Sequence, residues 1–156
     1  VGAVNPHLFK EAGDAICARD NLTEYAGQAL SNIIWAYATA GESDTVLFEK
    51  VADHITGMGE LGSFKPQALS NLVWAYATAE RSHPHLFKKV AEHIVALDNL
   101  SQFEPQALSN IVWAYAAAEE SQPKLFEKVA DHITALDDLS RFKPLSLSNI
   151  AWAYAT

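Results

Sequence analysis

Four short segments of this chain place an asparagine three residues before a tryptophan. They read LSNIIWAYA, LSNLVWAYA, LSNIVWAYA and LSNIAWAYA, and they begin at Leu30, Leu69, Leu108 and Leu147. A primary amide presents a hydrogen-bond donor and an acceptor together, and an indole ring presents a flat surface on which another ring can stack. These groups bind and orient a molecule without transforming it. The segments therefore favour recognition of a ligand over catalysis.

The four segments belong to a repeat that accounts for the whole chain. Trp35, Trp74, Trp113 and Trp152 are 39 residues apart, and so are the asparagines that precede them. Four such units make up the 156 residues. We therefore divide the chain into units 1–39, 40–78, 79–117 and 118–156, which form a single array.

Each unit carries two helical patterns and no strand pattern. In the third unit, the apolar residues of SHPHLFKKVAEHIVAL recur at offsets of three and four, and the segment after Pro105 does the same. Prolines at 6, 84, 105 and 123 suit the first turn of a helix, and Phe103 with Leu108 predicts a hydrophobic staple across the start of the second helix. Two helices cannot hide their apolar faces alone, so successive units should stack. The prediction is an all-α fold, an α-solenoid of four helix-loop-helix repeats with a right-handed superhelix.

The second helix of each unit has one polar stripe. On a helical wheel with about 100° per residue, Leu69, Leu72 and Tyr76 share one face, which should contact the first helix. Ala68 and Ala75 lie to one side, where a neighbouring helix can approach closely. The opposite arc gives the candidate binding residues of the array, which are Gln28, Asn32, Trp35, Gln67, Asn71, Trp74, Thr78, Gln106, Asn110, Trp113, Asn149 and Trp152.

Two interpretations of this stripe are open. In the first, tryptophan fills the seam between units and asparagine bonds to a neighbouring backbone, because a buried amide needs a partner. In the second, the stripe lines the concave groove of the array and binds an extended ligand. The two are compatible if tryptophan packs while the amides point outward.

The composition excludes several other functions. A single cysteine, Cys17, rules out an internal disulfide framework, and no apolar run approaches the roughly 18 residues of a membrane span. The histidines at 54, 93 and 132 fall one repeat apart, about 10 Å as helices pack, whereas zinc needs its ligands at about 2 Å. The lysines at 50, 89 and 128 each lie three residues before an acidic residue, and this spacing predicts i,i+3 ion pairs on a solvated face. We expect no metal, no cofactor and no enzyme.

The net charge of −8 is spread over all four units, so a basic nucleic-acid module is not indicated and DNA is not expected as a partner. The chain begins with valine, and we expect it to be an excerpt whose neighbours in the parent protein are further repeats. From the sequence alone the protein should be soluble and intracellular.

The segment FKPQALSNLVWAYATA at 64–79 resembles octotricopeptide and heptatricopeptide-type helical repeats. It is also similar to the leucine-rich region of RAP-domain and FAST-kinase-like proteins and to helical-repeat subunits of RNA-editing substrate-binding complexes. The resemblance covers the whole chain, although the repeat is 39 residues rather than 38, the Pro-Pro-Pro-Glu-Trp signature is missing and no RAP domain is included.

The resemblance implies a protein that binds single-stranded RNA in a mitochondrion or chloroplast and serves RNA processing, stability or translation. Its inner-helix polar positions fall on the glutamines at 28, 67 and 106 and the asparagines at 32, 71, 110 and 149. The alternative is an armadillo-like scaffold that grips an extended peptide, for which an acidic surface favours basic segments. The Asn-x-x-Trp order is the reverse of the armadillo ladder. A third interpretation is a structural segment of a large assembly.

Overall fold

The computed structural model of the protein describes residues 3–156, and all regular secondary structure in this range is α-helical. The prediction of an all-α fold is confirmed. Within residues 3–156 eight helices follow one another, and they are α1 (Pro6–Cys17), α2 (Gly27–Ala40), α3 (Thr45–Gly57), α4 (Pro66–Thr78), α5 (Pro84–Ala96), α6 (Pro105–Ala117), α7 (Pro123–Thr134) and α8 (Pro144–Ala155). We call α1, α3, α5 and α7 the first helices and α2, α4, α6 and α8 the second helices.

The helices begin where their sequences supply a start signal. Prolines at 6, 84, 105 and 123 each occupy the first helical position, as predicted. Three of the first helices also have a side-chain cap, in which a backbone N–H donates to Asn5 Oδ1 at 3.1 Å, to Asp44 Oδ1 at 3.1 Å and to His83 Nδ1 at 3.2 Å. Phe103 and Leu108, the predicted staple, are both buried on either side of the α6 start.

First helices pack on first helices and second helices pack on second helices, so the main contacts join every other helix along the chain. The second helices form a tightly packed row, and the first helices form a looser one. Ala68, Ala75, Ala107 and Ala114 are fully buried in the tight row, so the prediction that small side chains allow a close approach is confirmed for α4.

A tyrosine joins the two rows at the same place in each unit. The Tyr76 hydroxyl donates to the Phe48 backbone carbonyl at 2.6 Å, and the two rings lie edge to face at 5.1 Å. The same pair of contacts recurs for Tyr37 with Phe9, Tyr115 with Phe87 and Tyr154 with Phe126. Each second helix is thereby fixed against the first helix that precedes it in the chain.

A lysine joins each first helix to the one before it. Lys89 Nζ donates to the carbonyl of Thr56 at 2.9 Å and also to that of Met58, at the end of α3. Lys50 and Lys128 make the matching bonds to the ends of α1 and α5. The interpretation of these lysines as i,i+3 ion pairs on a solvated face is wrong, because a cation is stabilised more by the free carbonyls and negative dipole of a helix end than by an exposed carboxylate.

Candidate binding surface on the second helices

The polar stripe of the second helices is accessible to solvent. The three glutamines, Asn32 and Thr78 are exposed, and the other three asparagines are half-buried. Trp35 is 42% exposed and Trp152 is 46% exposed, whereas Trp74 and Trp113 are partly buried. We call the twelve candidate residues the amide–tryptophan ladder. None of them is buried.

The ladder faces away from the first helices because of helical geometry. On α4, Leu69, Leu72 and Tyr76 are at most 1% exposed, and Tyr76 reaches back to α3. Residues on the opposite arc of the same helix must therefore point outward from the second-helix row. The repeat places this arc at the same height on all four second helices.

Two glutamine–asparagine pairs on the ladder are held by hydrogen bonds. Gln28 Nε2 donates to Asn32 Oδ1 at 3.0 Å, and Gln67 Nε2 donates to Asn71 Oδ1 at 2.8 Å. This contact leaves the glutamine oxygen and the asparagine amino group of each pair unused. Each pair offers one acceptor and one donor side by side, which matches the edge of a nucleobase or of a peptide group.

The structure agrees with the packing interpretation of the stripe for two tryptophans but not for the asparagines. Trp74 and Trp113 pack partly against the core, as the packing interpretation expects. Within residues 3–156, however, none of the ladder asparagines bonds to the backbone of a neighbouring helix. The fourth unit departs from the others, because Leu145 stands where the other units have glutamine and is exposed.

Charges lie at the edges of the ladder and not within it. The four second helices contain no charged residue. Lys65 and Lys143 precede α4 and α8, and Glu104 precedes α6, where it accepts a hydrogen bond from Arg141 at 2.7 Å. At the other end Glu80 and Glu119 are exposed. The ladder is thus a neutral strip with a mixed edge at the helix starts and an acidic edge at the helix ends.

A wide groove lies elsewhere, between α3 and α5 on the first-helix side. It measures about 850 Å³, and Asp53, Glu60, His83 and His93 are among its lining residues. Burial lowers the pKa of the His93 imidazole, and the nearby Glu60 carboxylate opposes this shift. Across the described part of the chain, no three histidine, cysteine or acidic side chains form a group that could hold a metal ion.

The sequence interpretation missed two features of the packing between helices. One is the lysine bonds to helix ends, and the other is a serine on each of α2, α4 and α6 that is fully buried between second helices. The only signal for the serines is their place in the repeated LSN segment, directly before the ladder asparagine.

In residues 3–156 the helices are too short and too polar for any of them to cross a membrane. Comparison of the chain with protein-family models, with curated proteins and with solved structures finds no match in any of the three.

Proposed function

We propose that this protein is a binding module for single-stranded RNA and that the amide–tryptophan ladder is its binding surface. One observation carries the proposal. Helices α4 and α6 each bury 7 of their 13 residues, yet the second helices keep amide and indole groups accessible at the same position in each successive helix. A regular series of stacking and hydrogen-bonding groups suits a ligand that is itself a regular series of flat rings.

The proposed architecture is an α-solenoid of four 39-residue repeats with a right-handed superhelix. Second helices contact one another along their length, whereas first helices touch more sparsely. A stack whose two sides differ in spacing bends toward the closer side. The ladder then lies on the concave surface, and further repeats of the same chain would lengthen that surface.

The neutral ladder determines how the RNA is bound. Base stacking on aromatic side chains contributes about 1–3 kcal/mol per base. The exposed Trp35 and Trp152 offer the more accessible stacking surfaces, and Trp74 and Trp113 offer smaller ones.

Few cations are available to contact the phosphates. At the starts of the second helices, within residues 3–156, Lys65 and Lys143 have no acidic partner at hydrogen-bond distance, whereas Arg141 is paired with Glu104. Affinity should accordingly depend less on salt than it does for a basic RNA-binding domain.

Tryptophan fluorescence tests this proposal without a label. All four tryptophans of the protein belong to the ladder, so any change in their emission reports on that surface. Titration with random single-stranded RNA should quench the emission in a saturable way, and the midpoint should shift only modestly between low and moderate salt. No quenching even at low salt would remove RNA as the ligand.

A pair of matched variants locates the site. Asn71→Ala with Asn110→Ala removes two ladder amides and should weaken RNA binding roughly tenfold or more, as expected for the loss of two hydrogen bonds. Gln102→Ala with Gln122→Ala removes one exposed and one half-buried amide, both off the ladder, and should leave binding unchanged. Equal effects of the two double variants would show that RNA binds elsewhere.

An extended basic peptide is the second candidate. The acidic edge formed by Glu80 and Glu119, together with the net charge of −8, favours a cationic ligand. The same titration with a lysine- and arginine-rich peptide distinguishes the candidates, since peptide binding should fall steeply with salt.

On the sequence resemblance we place the RNA-binding function in a mitochondrion or chloroplast, and it involves no cofactor, no metal and no catalytic step.

A further inference from the structure

The two long edges of the amide–tryptophan ladder differ in charge. On α4, Lys65 lies directly before the helix and Glu80 lies two residues after its last residue, and both side chains are exposed. Lys143 repeats the position of Lys65 at the start of α8, and Glu119 repeats the position of Glu80 at the end of α6. A polyanion is therefore attracted to the edge at the helix starts and repelled from the edge at the helix ends.

The other charges at the helix starts are paired within the protein. Glu104, before α6, accepts a hydrogen bond from Arg141 at 2.7 Å. Before α2, Arg19 Nη1 lies 2.5 Å from Glu24 Oε2. Each pair joins one cation to one anion and adds no net charge, so the two lysines determine the sign of this edge.

The helix ends carry one cation that does not offset their acidic character. Arg81 follows Glu80, but it is half-buried and donates to the Ser43 backbone carbonyl at 3.1 Å. Its guanidinium is thereby held against the loop that precedes α3. Glu120, next to Glu119, accepts a hydrogen bond from a neutral serine hydroxyl, so its negative charge is not neutralised.

The two edges are far enough apart to act on a ligand separately. Fifteen residues separate Lys65 from Glu80, and at about 1.5 Å per residue they span roughly 22 Å along the helix axis. At physiological ionic strength the interaction between exposed charges is largely screened beyond about 8 Å. A phosphate that follows one edge is therefore little affected by the charges of the other edge.

We propose that the sugar–phosphate backbone of the bound RNA follows the helix-start edge and that Lys65 and Lys143 contact its phosphates. The assignment rests on the function proposed above, and it adds the orientation of the strand and two residues outside the ladder. Gln67 and Trp74 lie about 3 Å and about 14 Å beyond Lys65 along the helix axis. A nucleotide carries its phosphate and its base on different sides of the sugar, so a phosphate at Lys65 directs the base over the ladder toward Trp74.

The salt dependence of RNA binding tests this orientation. Lys65→Gln with Lys143→Gln should weaken binding of single-stranded RNA at least about threefold at low salt. It should also reduce the slope of log affinity against log salt by about 1.4, since each phosphate contact of a single strand contributes about 0.7. Lys88→Gln with Lys124→Gln is the charge-matched control, because both lysines are exposed on first helices and their loss should leave the slope unchanged.

A second ligand separates phosphate contacts from base contacts. An oligonucleotide of the same bases with uncharged methylphosphonate linkages should bind the wild type and the Lys65→Gln, Lys143→Gln variant equally. Glu80→Gln with Glu119→Gln should change the affinity for RNA less than about twofold at physiological salt, because the acidic edge is screened from the backbone.

The outcomes distinguish failure of the orientation from failure of the RNA-binding function. RNA binding with an unchanged salt slope in the lysine variant overturns the orientation alone, and stronger binding in the glutamate variant alone would place the backbone at the helix ends. If the wild type binds neither RNA nor the methylphosphonate oligonucleotide, the ladder is not an RNA-binding surface and both proposals fail. Binding of a lysine- and arginine-rich peptide that the glutamate variant weakens would then identify a peptide as the ligand.

Discussion

Ser31, Ser70 and Ser109 each place a hydroxyl between neighbouring second helices. Their side chains are at most 1% exposed, and within the described part of the chain their Oγ atoms have no hydrogen-bond partner. Serine is small enough for the alanines of the next helix to pack closely, which the tight row requires. Alanine would be equally small and would bury no polar atom, so these positions are not optimised for stability.

Ser70→Ala should stabilise the protein. Burial of an unpaired hydroxyl costs about 1–3 kcal/mol, and alanine also has the higher helix propensity. Ser148 holds the same position on α8 but is exposed, so Ser148→Ala should gain only the propensity contribution. The difference between the two variants in urea denaturation should be about 1 kcal/mol. Equal changes would mean that the buried hydroxyl carries no cost.

Glu80 and Glu119 have a left-handed backbone at the ends of α4 and α6, with φ of 53° and 56°. In the first unit the same position is Gly41, with φ of 74°. The following N–H groups close the helix ends, as Arg81 N does on the Tyr76 carbonyl at 3.0 Å. Glutamate is unfavourable here both for its Cβ and for its negative charge at a helix C-terminus.

Glu80→Gly should therefore stabilise the protein by about 1 kcal/mol, because relief of the left-handed strain exceeds the added chain entropy of glycine. The reverse change, Gly41→Glu, should destabilise it by a similar amount, since a Cβ there meets no atom within 4 Å and only the backbone conformation is penalised. Thermal denaturation of the two variants measures both effects. Destabilisation by Glu80→Gly would show that the glutamate makes a compensating contact.

At the scale of the helix, the tyrosine bond determines how the two helices of a unit meet. Tyr76 and Tyr115 are buried with their hydroxyls on backbone carbonyls of the preceding first helix. Burial raises the pKa of the Tyr76 hydroxyl far above its ordinary value near 10. For the more accessible Tyr154, burial raises the pKa to about 12.

Tyr76→Phe should cost about 1–2 kcal/mol at neutral pH, since it leaves the Phe48 carbonyl buried without its donor. Tyr154→Phe should cost less, because water can reach the Phe126 carbonyl. The raised pKa also gives a pH dependence. The unfolded chain releases the tyrosine proton above about pH 10, before the folded chain does, so the free energy of unfolding should fall as pH rises beyond that value.

Urea denaturation of both phenylalanine variants and the wild type, on either side of the ordinary tyrosine pKa, measures these effects. The alkaline loss of stability should be smaller in Tyr76→Phe than in the wild type. An identical loss in the two proteins would contradict the role of Tyr76 in the alkaline transition.

Helix positions were predictable because their signals are local. Proline at the first turn and apolar spacing within one helix place α5 and α6 without any knowledge of neighbours. The same helical wheel placed the polar stripe on one arc of each second helix, but it left open whether that arc faces solvent or a neighbouring unit. The partners of Lys89 and the partial burial of Trp74 were not predictable. Both depend on the distance and tilt between successive helices, and the spacing of apolar residues within one helix gives no information about either.

At the scale of the whole molecule, the main contacts join helices that are close in the chain. Each second helix packs on the second helices before and after it, and each first helix does the same within its own row. The side-chain bonds that link the rows and the units span only 28 to 38 residues. Stability in such a molecule is close to a sum of local contributions and need not be uniform along the chain.

Hydrogen exchange should therefore show a gradient from the centre of the molecule to its ends. Within residues 3–156, helices α4, α5 and α6 pack against neighbours on both sides, whereas α1 and α8 pack on one side only, as the exposure of Leu8 and Tyr154 shows. We expect amides of α8 to exchange at least about tenfold faster than those of α6, a difference typical of local opening at an end. Uniform protection from α1 to α8 would instead indicate a single cooperative unit, in which the loss of one neighbour destabilises the centre as much as the end.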